Sequence, residues 1–491
     1  MNKTQKIIIL VAAILLALAA AYLLFIRKGD DKVLAKVPIT SKSVKVINVR
    51  ALSSRLFLDD LGRDVKNSTK AIAKLLPDSL SNIDWSTNGL GLPDKIALFT
   101  LEDTVNGSSS YSINFIVPIF SAKKFNLFIS GISAQLKVAI TNKGNIKWGY
   151  LSNPGVLVVW DDHFVTGRLT TINNDTNVNQ LIHVLSAQKS QSILADTCFT
   201  KKLAAKYDVL IYSKPYQKCP VKKLEPINSS MVYCTSSLNF NKGELEIISE
   251  IKTKEGSLLD KIFVPIGEEM SCLANTGSSI VNLFLQINPE AFMQLYHQYK
   301  PIDFKPGIPY SKAWDGRINL ALLGNRTVEN EYITYEYDDN FNKVAIKTRK
   351  QEKILDIQAI IGNNKIKNDS IVPIKNGLDS LLFKGGNFVM RKTRSYYLMY
   401  NKLFTKPEIA KKAMKSNIEM EINYKSLMPI LKDLGITGKT EWLDSIACEK
   451  IVLKANKKGP IHITLLIQLA DKERNSFYAI SEKIGQKQIG K

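Results

Sequence analysis

The sequence predicts an α+β protein: a single N-terminal transmembrane helix followed by repeated modules of antiparallel sheet with helices on one face. Three observations predict it. An unbroken apolar run of 20 residues, Ile7 to Ile26, stands between Lys3/Lys6 and Arg27/Lys28. A short motif recurs three times after alternating strand patterns and before amphipathic stretches. Hairpin signals fill much of the remainder.

The apolar run comes first in the chain. At about 1.5 Å per residue it matches the ~30 Å hydrocarbon core of a bilayer, and a helix satisfies its own backbone there. A cleaved signal peptide is the competing reading, with Ala19-Ala20-Ala21 as the cleavage site, but Tyr22 to Ile26 continue the run beyond it. The retained anchor is therefore expected. Residues 1–6 are expected in the cytoplasm, 7–26 in the inner-membrane bilayer, 27–43 as a polar stem, and the bulk of the chain in the periplasm, single-pass. Export after signal cleavage is the alternative.

The recurring motif follows. Ile47-Asn48-Val49-Arg50-Ala51-Leu52, Ile287-Asn288-Pro289-Glu290-Ala291-Phe292 and Ile422-Asn423-Tyr424-Lys425-Ser426-Leu427 share the order Ile, Asn, any, charged, small, large apolar. A side-chain oxygen at the Asn position can accept a hydrogen bond from the first helical turn, and Pro289 suits the first helical position because its missing N–H has no partner there. Asn48, Asn288 and Asn423 are expected to be helix caps. The helices behind two of them carry Phe292, Leu295 and Tyr296, or Leu427, Ile430 and Leu431, at helical spacing. Pro429 is expected in the first turn.

Lys95 to Phe99 resembles Lys450 to Lys454, and the apolar strands Ile113–Ile119 and Ile461–Leu469 each lead toward a helix. Hairpins are expected about Asn241-Lys242-Gly243 and about Asp338-Asp339-Asn340, where Ile333, Tyr335 and Tyr337 alternate with Tyr332, Thr334 and Glu336. Lys353 to Ile361 reads as a further strand. The modules expected are 44–206, 207–415 with a basic segment 384–415, and 416–491.

Composition bounds the function. With 491 residues, 45% apolar and 23% charged, the chain is long enough for roughly three folding units and excludes wholesale disorder, collagen and coiled coil. Only eleven of the 67 basic residues are arginine, so the +22 charge is diffuse lysine charge rather than a base-reading surface. No nucleic acid is expected as a partner; an anionic envelope polymer or another envelope protein is. Basic and aromatic residues interleave between Lys384 and Lys415, a pattern that suits a polyanion or glycan surface but that a strand over Tyr396–Tyr400 with a solvated helix beyond explains better.

No catalytic, cofactor-binding or metal residues are assigned. Asp161-Asp162-His163 reads as a solvated turn after a strand. Ser121-Ala122-Lys123-Lys124 lacks the downstream elements of the penicillin-recognising enzymes. Gly435 to Thr440 has the wrong glycine spacing for a phosphate loop. One or two disulfides among Cys198, Cys219, Cys234 and Cys272 are plausible in a periplasm, with pairing open; Cys448 reads as core.

The Pro-containing stem at Val37-Pro38, the strand and helix of Val44 to Leu56, and the closing apolar strand with Asn475-Ser476-Phe477 resemble a group of bacterial envelope proteins of uncharacterised function, anchored or exported through their N-terminus. The resemblance implies an envelope location and no established activity. The expected function is thus a membrane-tethered, non-enzymatic binding or scaffolding protein. A periplasmic hydrolase or transferase is the alternative, and an immunity- or inhibitor-like partner a third reading.

Overall fold

The computed structural model describes residues 31–52, 89–90, 95–299, 314–373 and 388–480, less gaps of one to nine residues within the last three stretches. They divide between two compact units, Met1–Lys252 with Asp471–Lys491, and Thr253–Ala470.

The first unit is built on an antiparallel sheet centred on β1 (Ser43–Ile47). Its sequence alternates, so Val44 and Val46 are fully buried while Lys45 faces water. On one side β1 pairs with β2 (Ile96–Val105), and the sheet continues through β3 (Ser108–Pro118), β7 (Phe164–Leu169), β6 (Val156–Trp160), β5 (Ile146–Leu151) and β4 (Ile140–Lys143). On the other it pairs with β8 (Val209–Ser213), which leads to β9 (Met231–Asn241) and β10 (Glu244–Thr253). Residues on both sides of position 206 thus share one sheet.

Among the described residues this sheet is accompanied by α1 (Ala122–Leu136), α2 (Asp175–Ser186), α3 (Thr197–Leu203) and α4 (Glu225–Ser230), and a further helix begins after Asn48. The Asn174 side chain caps α2 by accepting from Asn177 N–H at 2.9 Å. The helix then buries Val178, Leu181, Val184 and Leu185 in one core with Val44, Val46, Phe99, Ile116 and Leu157. Arg168 of β7 enters the same layer at 1% exposure. Its Nε donates to Asn114 Oδ1 at 2.9 Å and its Nη1 to Asn177 Oδ1 at 2.7 Å, which ties α2 to β3 through amides.

The second unit centres on β12 (Val281–Gln286). β12 pairs with β13 (Trp314–Tyr337), then come β14 (Lys343–Asn363), β17 (Tyr396–Asn401), β16 (Phe388–Lys392) and β15 (Ser370–Pro373). Its other edge pairs with β19 (Ile418–Asn423), then β20 (Cys448–Lys457) and β21 (Ile461–Leu469). A separate ladder joins β11 (Met270–Leu273) to β18 (Ile409–Lys412). The helices are α5 (Leu258–Ile262), α6 (Pro289–Tyr299) and α7 (Tyr424–Asp433).

The expected architecture is corrected in several places. Antiparallel sheet dominates, and no helix among the described residues is long and apolar enough to cross a membrane. The longest, α1, has 15 residues against the ~20 that a bilayer requires. The run 7–26 on which the membrane-helix expectation rested lies outside the described residues. Lys353 to Ile361 is no separate strand but the inner half of β14, because the ladder with β13 continues from tip to base. The solvated helix expected beyond Tyr400 is instead strand β18, which gains β11 as its hydrogen-bonding partner. Pro429 sits sixth in α7, past the turn where a missing N–H is free of cost.

Candidate functional site

The three motif asparagines all cap helices. Asn48 Oδ1 accepts from Ala51 N–H at 3.0 Å, Asn288 Oδ1 from Ala291 N–H at 3.1 Å, and Asn423 Oδ1 from Ser426 N–H at 3.1 Å. Their backbones are fixed as well: Asn48 N–H donates to Asp208 O, Asn288 N–H to Ile262 O and Asn423 N–H to Ile280 O. The side-chain oxygen and the backbone N–H of each of the three asparagines are thus engaged in the fold.

Other residues weighed from the sequence fall in separate places. Asp161 Oδ1 accepts from both His163 N–H and Phe164 N–H at 2.7 Å, which closes the β6–β7 turn with His163 exposed. Ser121 Oγ accepts from Lys124 N–H at 3.4 Å at the start of α1. Gly435 to Thr440 lie outside the described residues. All five cysteines are free thiols, which corrects the expected disulfides. Cys272 belongs to β11 of the second unit, so the four were a cluster in sequence only. Burial pushes the Cys234 and Cys272 thiols up, away from the thiolate that would act as a nucleophile. Among the described residues no group of three or more His, Cys, Asp and Glu could hold a metal ion.

The densest titratable network, which sequence reasoning missed, lies where α3 meets β8 and β9. Asp196 caps α3, its Oδ1 accepting from Cys198 N–H at 3.0 Å and Phe199 N–H at 3.2 Å. Its Oδ2 receives the Tyr212 hydroxyl at 2.9 Å and the Lys214 ammonium at 2.8 Å. Beside it, Tyr233 donates to Glu250 Oε1 at 3.1 Å, and Lys202 pairs with Glu250 Oε2 at 2.5 Å. Burial opposes ionisation of Asp196, but the donors from Lys214, Tyr212 and Phe199 outweigh it and hold the carboxyl below its ordinary value. Burial, reinforced by Asp196, drives the Tyr212 hydroxyl upward. Burial and Glu250 push Tyr233 up to about 12. General acid–base work needs groups poised near the operating pH. These three are displaced away from neutrality, so the network holds α3 on the sheet and is poorly matched to moving protons.

The second unit carries a different feature. β13 and β14 stay paired from Ile318/Ile361 out to Tyr337/Lys343. At the base, Ile354 and Leu355 are buried and pack into the unit. Beyond them neither face is covered: Ile333 is 56% exposed, Tyr335 56%, Tyr337 70% and Phe341 87%. From Asn325 outward the ribbon extends for roughly 40 Å at ~3.3 Å per residue. Residues opposite one another in this ladder share a face, and one face presents Glu331 with Arg349, Ile333 with Lys347, Tyr335 with Ala345, and Tyr337 with Lys343. Lys347 reaches Glu331 at 3.3 Å, and Lys343 Nζ lies 4.4 Å from the centre of the Tyr335 ring. Chemically this surface can dock a partner through aromatic rings bordered by charges of both signs.

The basic segment 384–415 divides among elements. Tyr397 and Leu398 of β17 are buried, whereas Lys406, Lys411, Lys412 and Lys415 face water, and Lys412 Nζ stands 4.6 Å from the Phe284 ring.

No family model matches the chain, and no curated protein matches it. Among solved structures, crystal form III of TP0453 is similar with 12% identity and a TM-score of 0.29, over 47% of this chain and 82% of that one. Crystal form I of TP0453 has 11% identity and a TM-score of 0.28 over the same shares. A likeness so slight carries no argument about architecture or activity.

Proposed function

We propose that this chain is a non-enzymatic binding or scaffolding protein of the cell envelope, with the outer part of the β13–β14 ribbon as its contact element. One observation carries the reading: a two-stranded ribbon that exposes Ile333, Tyr335, Tyr337, Phe341, Val344 and Ile346 to water. Isolated ribbons of this kind are marginal in water, and exposed apolar surface rimmed by charge marks interaction sites. The envelope setting rests on the sequence, on the apolar run 7–26.

A photo-crosslinking residue placed at Tyr335 or Ile333, which share one face of the ribbon, in the intact cell tests this. Adducts to another polypeptide should form at both sites, and far less at the exposed control Lys458. Equal yields at all three positions would overturn the reading.

A further inference from the structure

The ribbon's charges are divided by strand. In its outer part β13 contributes Glu329, Glu331 and Glu336, while β14 contributes Lys343, Lys347 and Arg349. Over residues 325–353 acidic and basic residues balance, in a chain whose total is +22. A polyanion would be drawn to the lysine-rich remainder rather than to this neutral segment, and the charges of Asp338-Asp339, which follow β13 in the sequence, oppose insertion into lipid. A protein surface of matching pattern fits better. The ribbon itself has that pattern.

Consider two copies stacked face to face about a two-fold axis that runs along the ribbons. This operation lays β13 of one copy over β14 of its partner at equal height. Glu331 then meets the second Arg349, Ile333 the aliphatic stem of Lys347, Tyr335 the small Ala345, and Tyr337 Lys343, a cation over an aromatic ring. A two-fold axis across the ribbons would instead lay β14 on β14 and bring the Lys343, Lys347 and Arg349 row of one copy against the same row of the other, which like-charge repulsion disfavours. The geometry therefore points to a second copy of this chain as the occupant of the ribbon face, in parallel, self-complementary stacking. This inference rests on the ribbon being the contact element. The face covers only roughly 400 Å² per copy from its length and two-strand width, below the ~800 Å² per partner of a stable interface, so the pairing is weak and concentration-dependent.

Sedimentation of the purified full chain from low to high micromolar concentration tests it. The natural chain should shift toward dimer. Glu331→Arg alone and Arg349→Glu alone should each remain monomeric, because each places like charges across the two-fold. An equimolar mixture of these two variants should dimerise again at least as well as the natural chain. Within each variant the Glu331–Arg349 neighbours stay mismatched in the mixture, so a rescue can only come from contact between chains. A chain that remains monomeric throughout, or variants that fail to rescue one another, would refute the second copy. Ribbon crosslinks to a different polypeptide would in that case leave the binding reading standing, whereas absence of any ribbon crosslink would remove both.

Discussion

At the scale of single residues, the same side chain is used three times for one purpose. Asn48, Asn288 and Asn423 each stand at or just beyond the end of a strand and supply the acceptor for a helix's orphan N–H. Replacing Asn288 by Ala strands the Ala291 N–H and should cost about 1 kcal/mol, while Asn288→Asp keeps the oxygen and adds favourable charge at the helix start. Hydrogen exchange of the α6 amides resolves the two variants. Close by, Gly316 has φ +93°, and a Cβ there would lie 1.7 Å from Ile287 O, so the strand facing this cap admits only glycine. The caps were legible because cap and helix are neighbours in sequence. The Asp196 network was not, since Tyr212, Lys214 and Glu250 reach their partners only after β8, β9 and β10 have paired. Arg168 was hidden for the same reason: its amide partners Asn114 and Asn177 come from β3 and α2.

At the scale of elements, alternation revealed the hairpin of Tyr332 to Ile346 but not its role. A period of two says that a strand has two different faces, and leaves open whether either face is covered. Here neither is, which has a consequence for stability. Replacing residues 328–352 by an Asn-Gly turn removes no buried core, keeps the Thr327–Lys353 pair as the new end of the ladder, and should leave the thermal midpoint within about 2 °C. A loss of 10 °C would show that the ribbon is part of the unit's core. Pro429 offers the opposite case. Inside α7 it deprives Lys425 O of its helical donor, so Pro429→Ala should stabilise the second unit by about 1 kcal/mol once the freer unfolded chain is allowed for. Denaturant midpoints read this directly.

At the scale of the whole molecule, the first unit is discontinuous in sequence. Asn475 Nδ2 donates to Phe240 O at 2.8 Å and Phe477 packs edge-on to Phe240 at 5.3 Å, which brings the chain's last described stretch back to β9. Local pattern carries no signal for a return across more than 200 residues, so a contiguous C-terminal module was the natural expectation from sequence. The division also separates two responses to acid. In the first unit, Asp196 is held below its ordinary pKa. In the second, burial likewise opposes ionisation of Asp260, but Lys457, Thr253 and Gly256 donate to it and lower its pKa. A carboxyl depressed by folding gives stability that is complete above the unfolded value of about 3.9 and is lost as pH falls through the folded value. Both units should therefore weaken in that acid range. The second unit has a further group: burial raises Asp356 above its ordinary value, and the Gln358 contact offsets this only in part. Its sign is opposite. Between the unfolded and the raised folded pKa the native state binds more protons, so stability rises as pH falls through the folded value of Asp356. On acidification the second unit should first gain and then lose, while the first only loses. Hydrogen exchange followed separately in β1/β8 and in β12/β19 from neutral pH downward should show protection falling earlier in the first unit. Asp356→Asn should abolish the early gain, and Asp196→Asn should flatten the acid loss in the first unit alone. Parallel loss in both units, unchanged by Asp356→Asn, would mean that Asp356 does not titrate in the folded chain as its burial requires.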